Sequence, residues 1–229
     1  MKSYFCRLLM IWLALGCFTS AVAGPYDDAL KRGEQFEGKQ KFREAVQAYD
    51  QAVEISPGAG AFLARGRAFC QLKKWDKAAA DLNKAIDMGA NGSAVYLLRA
   101  KAYYALKENE KAVDDYSKAI ALKPSDPYPY CRRAEVLAQL DQFPKALEDL
   151  NNALKLDSSY AEAYSLRAKF DLTLEEFQRS IDDSTRALEL DPKLTDALAT
   201  RSQAYKELGK ADLEAKHKRS TKPPNNSQD

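Results

Sequence analysis

Histidine is almost missing from this 229-residue sequence: His217 stands alone, in a polar stretch near the C-terminus. A serine or cysteine nucleophile would therefore lack its usual base. No grouping of His and Cys has zinc-ligand spacing, and no glycine-rich phosphate loop follows a strand. Carboxylate pairs such as Asp114 with Asp115, or Asp182 with Asp183, lie on helical stretches and read as solvated groups or bridge partners. The expected inventory is no catalytic residue, no metal site and no cofactor.

Cysteine is scarce as well. Of the four, Cys6 and Cys17 fall in the first 23 residues, leaving Cys70 and Cys131. Long apolar runs are limited to one, Leu8 to Phe18, too short for the roughly 20 residues of a membrane span. Lys2 and Arg7 before it and Ala21-Val22-Ala23 after it make a secretory signal peptide over 1–23, cleaved after Ala23. A rival reading notes that Ala14-Leu15-Gly16-Cys17 loosely resembles a lipid-attachment box, which would leave an acylated Cys17 and a membrane anchor. Either way the chain is expected to be exported, to a periplasm or the exterior, or to an outer membrane if lipidated.

An excess of one charge sign is the next absence. The sequence has 35 Lys and Arg against 33 Asp and Glu, and removing Lys2 and Arg7 leaves 33 of each (35 − 2 = 33). A neutral chain argues against nucleic acid as a partner, since phosphate binding needs a basic surface.

What is present is a soluble globular composition, 45% hydrophobic and 30% charged, and a repeat. Gly33, Gly66, Ala100, Ala134, Ala168 and Ser202 follow one another at steps of 33, 34, 34, 34 and 34. Ala45, Ala78, Ala112, Ala146 and Ser180 keep those steps, as do Ala52, Ala85, Ala119, Ala153 and Ala187. Within a period the apolar residues recur at helical spacing, Tyr96, Ala100 and Tyr103 on one helix and Ala112, Tyr116 and Ala119 on a second. Pro57, Pro124 and Pro192, and Gly89 with Asn91-Gly92, close the copies. Each copy is predicted to be a helical hairpin.

Copy three carries Tyr96, Ala100, Tyr103, Ala112, Tyr116 and Pro124, and this pattern resembles the tetratricopeptide repeat (TPR) family over about Tyr26 to Leu208. Asp171, Ser180 and Ser184 depart from it in copy five, which is expected to be looser. The resemblance implies an all-α fold, a right-handed α-solenoid of antiparallel helix pairs. The copies are placed at about 26–58, 59–92, 93–126, 127–160 and 161–194, with a partial sixth at 195–208. A polar capping helix is expected at 209–219 and a disordered tail at 220–229.

One arginine precedes each small residue of the first series, at 32, 65, 99, 133, 167 and 201. Sixteen positions later stand Asp81, Asp115, Asp149 and Asp183 in copies two to five, while Ala48 and His217 take that place in copies one and six. The spacing predicts a ladder of structural ion pairs, Arg65 with Asp81, Arg99 with Asp115, Arg133 with Asp149 and Arg167 with Asp183. The two remaining cysteines sit on first helices two copies apart, farther than the ~7 Å a disulfide spans, so free thiols are expected, with an intermolecular bridge still open.

The resemblance also implies function: a scaffold that binds another protein along a concave wall made by the first helices. Stripes opposite the core supply the candidate contacts Arg67, Leu97, Lys101, Tyr104, Tyr128, Arg132 and Lys169, among neighbours that include Cys70, Cys131 and Ser165. A peptide or helix with apolar anchors and some acidity suits that set. In chaperone-binding relatives, lysines and asparagines clamp a partner's C-terminal carboxylate; the matching places here hold Leu30, Glu34 and Ala64, so that clamp is absent. The alternative reading is a lipid-anchored assembly factor resembling the TPR pilotins.

Overall fold

The computed structural model describes the backbone of residues 24–220 and the side chains of residues 24–210. The expected leader, both of its processing sites, and residues 221–229 of the expected tail lie outside the described residues.

Five hairpins follow one another: α1 (Pro25–Gly38) with α2 (Phe42–Ile55), α3 (Ala59–Gln71) with α4 (Trp75–Asp87), α5 (Ser93–Ala105) with α6 (Asn109–Leu122), α7 (Pro127–Gln139) with α8 (Phe143–Leu156), and α9 (Ala161–Thr173) with α10 (Phe177–Leu190). One long helix, α11 (Thr195–Ser220), ends the array. Among the described residues there is no strand, and no helix is long and apolar enough to cross a membrane. The first helices of the copies begin at 25, 59, 93, 127, 161 and 195, so the period of the sequence is the period of the structure.

Local signals set the ends of these helices. Pro25 and Pro127 occupy first-turn positions where a missing N–H costs nothing, and the Asp126 side chain accepts a hydrogen bond from the Tyr128 N–H at 3.1 Å. Each hairpin turns through one residue in the left-handed region, Gln40, Lys73, Lys107, Asp141 or Glu175, with φ between 55° and 64°. The next amide then bonds back to the carbonyl five residues earlier, as from Glu108 to Tyr103 at 2.9 Å. Gly209 holds the corresponding place in copy six, but no turn forms there: α11 runs straight through, in place of a first helix and a separate cap. The residues in register beyond it are Glu214, His217 and Lys218, where complete copies put small, mostly acidic and large residues. They offer nothing to seal a second helix, and extending an existing helix is easier than nucleating a new one.

The small residues of the three series form the seam of the array. Ala45, Ala52, Ala78, Ala85, Ala100, Ala112, Ala119, Ala134, Ala146, Ala153, Ala168 and Ala187 are fully buried. A Cβ on Gly66 would stand 3.0 Å from Leu82 Cγ, and one on Gly33 would lie inside the Tyr49 ring contact at 2.2 Å. The backbones of paired helices therefore approach as closely as side-chain volume permits. Tyr49, Leu82, Tyr116 and Leu150 fill the space beside that contact.

Each arginine of copies two to five grips its aspartate with two parallel bonds. Arg99 Nε and Nη2 donate to Asp115 at 2.6 and 2.7 Å, and Arg65, Arg133 and Arg167 treat Asp81, Asp149 and Asp183 alike. The third nitrogen reaches back to the second helix of the preceding copy: Nη1 donates to Asp50, Asn83, Ser117 and Asn151 at 2.6 to 2.8 Å. Each guanidinium so ties its own hairpin and fastens it to the one before. Rings flank it as well, with Arg99 lying 5.8 and 5.6 Å from the Tyr96 and Tyr103 centroids. In copy one, where no carboxylate is available at that place, Arg32 donates to the Gln51 side chain at 2.7 Å.

Copy five keeps helices of 13 and 14 residues despite its polar core positions. Ser180 donates to the Ala168 carbonyl at 2.7 Å and Ser184 to the Ser180 carbonyl, so both hydroxyls are satisfied. Asp171 is not: it is 1% exposed, and neither carboxylate oxygen has a hydrogen-bond partner among the described residues. Burial raises its pKa, Asp183 and Glu176 add to that, and Arg179 and Arg167 oppose it.

Three outcomes are expected in thermal or denaturant unfolding. Ala119→Leu destabilises by about 1–3 kcal/mol through overpacking at a fully buried seam. Arg99→Ala leaves Asp115, whose side chain is 2% exposed, with only the Lys118 ammonium at 3.8 Å and costs about 3–5 kcal/mol; an unchanged midpoint would remove the clasp from the stability account. Asp171→Leu stabilises at neutral pH by about 1–3 kcal/mol, because an unsatisfied buried polar group is removed. Since the folded pKa of Asp171 lies above its unfolded value of about 4, the protonated form favours folding. That contribution is complete below about pH 4 and is lost as pH rises through the folded pKa, so the gap between variant and parent narrows on acidification.

Candidate protein-binding groove

First helices of neighbouring copies touch one another, α1 with α3, α3 with α5, α7 with α9 and α9 with α11, while among the described residues second helices make no comparable contact with each other. The array therefore curls with its first helices on the inner wall, and a side chain on that wall is exposed only where the next first helix does not cover it.

A cleft of about 220 Å³ opens on this wall between α5, α7 and α9. Leu166 and Phe170 give it apolar sides, the latter braced edge-on against Phe143 with centroids 5.8 Å apart, and Tyr104, Glu135, Gln139 and Lys169 edge it. Gln139 Nε2 donates to Tyr104 Oη at 2.7 Å across two copies, which orients the tyrosine. Burial and the charge of Glu135 hold the Tyr104 hydroxyl above its usual pKa, so it stays protonated as a donor. Glu135 stands on the candidate stripe, in register with Lys101 and Lys169, but was not among the candidate contacts; Gln139, Leu166 and Phe170 lie on neighbouring stripes and meet the others only where three copies converge.

The candidates divide into three groups. Tyr104 and Lys169 share the cleft, and Lys169 and Lys101 are exposed and make no ion pair among the described residues. Tyr128, 40% exposed, lies under the Arg132 guanidinium at 5.3 Å, forming a neighbouring patch. Arg132 is engaged twice, with Glu135 at 2.6 Å and with Glu162. Arg67 sits two copies away and is held on Glu37 at 2.6 and 3.2 Å, while Leu97 is half-buried against the core. Two of the four basic candidates are thus neutralised from within. The partners they use lie on the inner walls of adjoining copies but in opposite directions, Glu37 30 residues before Arg67 and Glu162 30 residues after Arg132, so no single sequence offset marks them.

Both cysteines leave the surface. Cys70 is 4% and Cys131 0% exposed, each a free thiol, so the intermolecular bridge left open by the sequence has no accessible sulfur. Burial raises the Cys70 pKa to about 11 and that of Cys131 to about 12, which keeps both unreactive. Ser165 is buried too; at these three stripe positions the adjoining copy covers what a lone hairpin would expose.

Comparison with known proteins agrees with the hairpin array. Two family models match, "Tetratricopeptide repeat" over residues 30–93 and "TPR repeat" over residues 100–141. Among solved structures, MamA superposes with a TM-score of 0.66 at 20% identity, covering 70% of this chain and 95% of that one. YrrB, described as a TPR protein with an unusual peptide-binding site, gives a TM-score of 0.69 at 17% identity over 80% of this chain and 94% of that one. The first TPR of Spaghetti (RPAP3), bound to the HSP90 peptide SRMEEVD, gives 0.50 at 26% identity over 53% and 99%. Hsc70-interacting proteins 1 and 2 of Drosophila melanogaster are 42% identical over 55 residues, 24% of this chain, and the chain spans 15% of their length. The fold is an all-α TPR solenoid, and the chain carries TPR repeats.

Proposed function

We propose that this solenoid is an exported scaffold that binds a peptide or helix of another protein through the inner-wall cleft, and that it performs no catalysis. The observation that carries the reading is the cleft itself: an apolar recess edged by Tyr104 and by the exposed ammonium of Lys169, with none of the chain's own described side chains filling it. An apolar anchor of the ligand would enter between Leu166 and Phe170, with a ligand carboxylate near Lys169. Peptide binding by YrrB and by the Spaghetti repeat supports the mode of recognition. The chaperone-tail version does not carry over, because Leu30, Glu34 and Ala64 stand where the clamp residues would be.

The apolar run Leu8–Phe18 and the Ala21–Ala23 site support export with cleavage after Ala23. A second reading, in which an acylated Cys17 holds the scaffold on a membrane as an assembly factor, rests on the Leu15-Gly16-Cys17 sequence. Mass spectrometry of the N-terminus of protein expressed in a secreting host separates the two.

Panning a random peptide-display library against the full chain should enrich sequences with a bulky apolar residue beside an acidic one. Combined Tyr104→Ala and Lys169→Glu should weaken those peptides by about tenfold or more, as for a small set of dominant contacts, while Arg67→Ala leaves them unchanged. Peptides that bind the double variant as tightly as the parent would end the assignment of this cleft.

A further inference from the structure

We infer that the outer face of α11, carrying Leu198, Arg201, Ser202 and Tyr205, is a second docking site, distinct from the groove. It is built to take one amphipathic helix of a partner protein, with a small residue against Ser202 and a carboxylate against Arg201.

Four copies of this chain show what such a face is for. Steps of 34 carry Leu198 back to Tyr164, Tyr130, Tyr96 and Phe62, and Tyr205 to Asp171, Leu137, Tyr103 and Phe69. Arg201 and Ser202 carry back to the clasping arginines and the small residue beside each. In those copies the four positions are covered by the second helix of the hairpin, which brings a small residue to the backbone and an aspartate to the arginine. How closely it comes is visible at Gly66, where even a methyl group would crowd Leu82 and Asp81.

α11 seats itself on the preceding hairpin through a different side, with Ala197 and Ala204 fully buried and Thr200 9% exposed. Among the described residues the other side meets no second helix. Leu198 is 51% and Tyr205 58% exposed, and Arg201 makes no hydrogen bond or ion pair among the described residues. It is a first-helix face, complete in register, without the element that each earlier copy supplies.

Residues 210–220 do not carry, in register, the residues to supply that element. Glu214 stands in the register of the small residues Ala146 and Ser180, His217 in that of Asp149 and Asp183, and Lys218 in that of Tyr116 and Leu150. A basic residue opposite Arg201 and a carboxylate at the seam oppose closure, and α11 continues straight past Gly209. A second copy of the chain has no second helix to offer either, because each of α2, α4, α6, α8 and α10 already faces its own first helix. Charge complementarity and the geometry of four existing interfaces therefore point to a helix from another protein, acidic at one central position and small one turn to either side.

The probe is a fluorescent peptide of residues 143–156, the chain's own α8, locked helical by a staple between the exposed positions 151 and 155. It presents Ala146, Asp149, Leu150 and Ala153 in the required register. Anisotropy titration with the full chain should give saturable binding, weakened about tenfold (about 1.4 kcal/mol) by Arg201→Ala, by Ser202→Phe, or by Asp149→Asn in the peptide. Tyr104→Ala with Lys169→Glu should leave it unchanged, which separates this face from the groove. Both α11 substitutions sit on an uncovered surface, so the variants should melt as the parent does. The proposal falls if the peptide does not bind, if Arg201→Ala and Ser202→Phe leave binding intact, or if the groove variant abolishes it. It falls equally if the chain sediments as a dimer that Ser202→Phe splits, since the occupant is then a second copy.

Discussion

Two helix backbones meeting at one small residue per copy is the constraint from which the other features of this molecule descend. Where Gly66 or Ala100 stands, at most a methyl group separates the helices, and in copies two to five the residue next to it is drawn largely out of water, whereas Arg32 of copy one stays exposed. In every copy the neighbour is an arginine. A guanidinium held that deep needs acceptors for several N–H groups or it destabilises the fold, and the bidentate aspartate and the acceptor of the preceding copy provide them. The clasp is thus a consequence of the close approach, and it also turns hairpins into an array, because one of its three bonds crosses to the previous copy.

How legible this was follows from which contacts are backbone-controlled. The seam repeats with the period of the chain, so its small residues align in the sequence, and the aspartate sixteen positions past each arginine aligns with them. The third acceptor recurs with equal regularity, but as Asp50, Asn83, Ser117 and Asn151; what is kept is the ability to accept a hydrogen bond, and matching by residue type passes over it. The inner wall was much less legible. Its exposure depends on how far one copy overlaps the next, which buried Cys131 and Ser165, and its charges depend on the reach of long side chains, which tied Arg132 to Glu162 and Arg67 to Glu37.

Copy five shows how much deviation the arrangement tolerates and of what kind. Serine at two core positions costs little, because a hydroxyl can bond to a carbonyl of its own or the facing helix. A carboxylate in place of an aromatic cannot do so: a backbone in helical hydrogen bonding has no spare N–H to give, and Asp171 has no donor among the described residues. The hairpin survives because the neighbouring seams at Ala168 and Ala187 are intact and the Arg167 clasp is complete. In a quasi-one-dimensional array the strain stays within one copy and its neighbours instead of spreading along the chain.

The same nearest-neighbour logic bears on the recognition proposed above. Formal charge is balanced over residues 24–229, and on the inner wall the balance is local, each buried or half-buried arginine sitting on a glutamate. Such pairs cancel at a distance, so little long-range steering toward a charged ligand remains. Selectivity then has to come from shape at short range: an apolar recess where three copies converge, and at its edge Lys169, which makes no ion pair among the described residues. A ligand that displaced Glu135 or Glu162 from Arg132 would have to replace a desolvated hydrogen-bonded contact with an equal one, whereas a ligand that used the recess and Lys169 would leave those pairs untouched. The second course disturbs nothing already satisfied, which is why the binding surface we propose is the cleft and not the arginines.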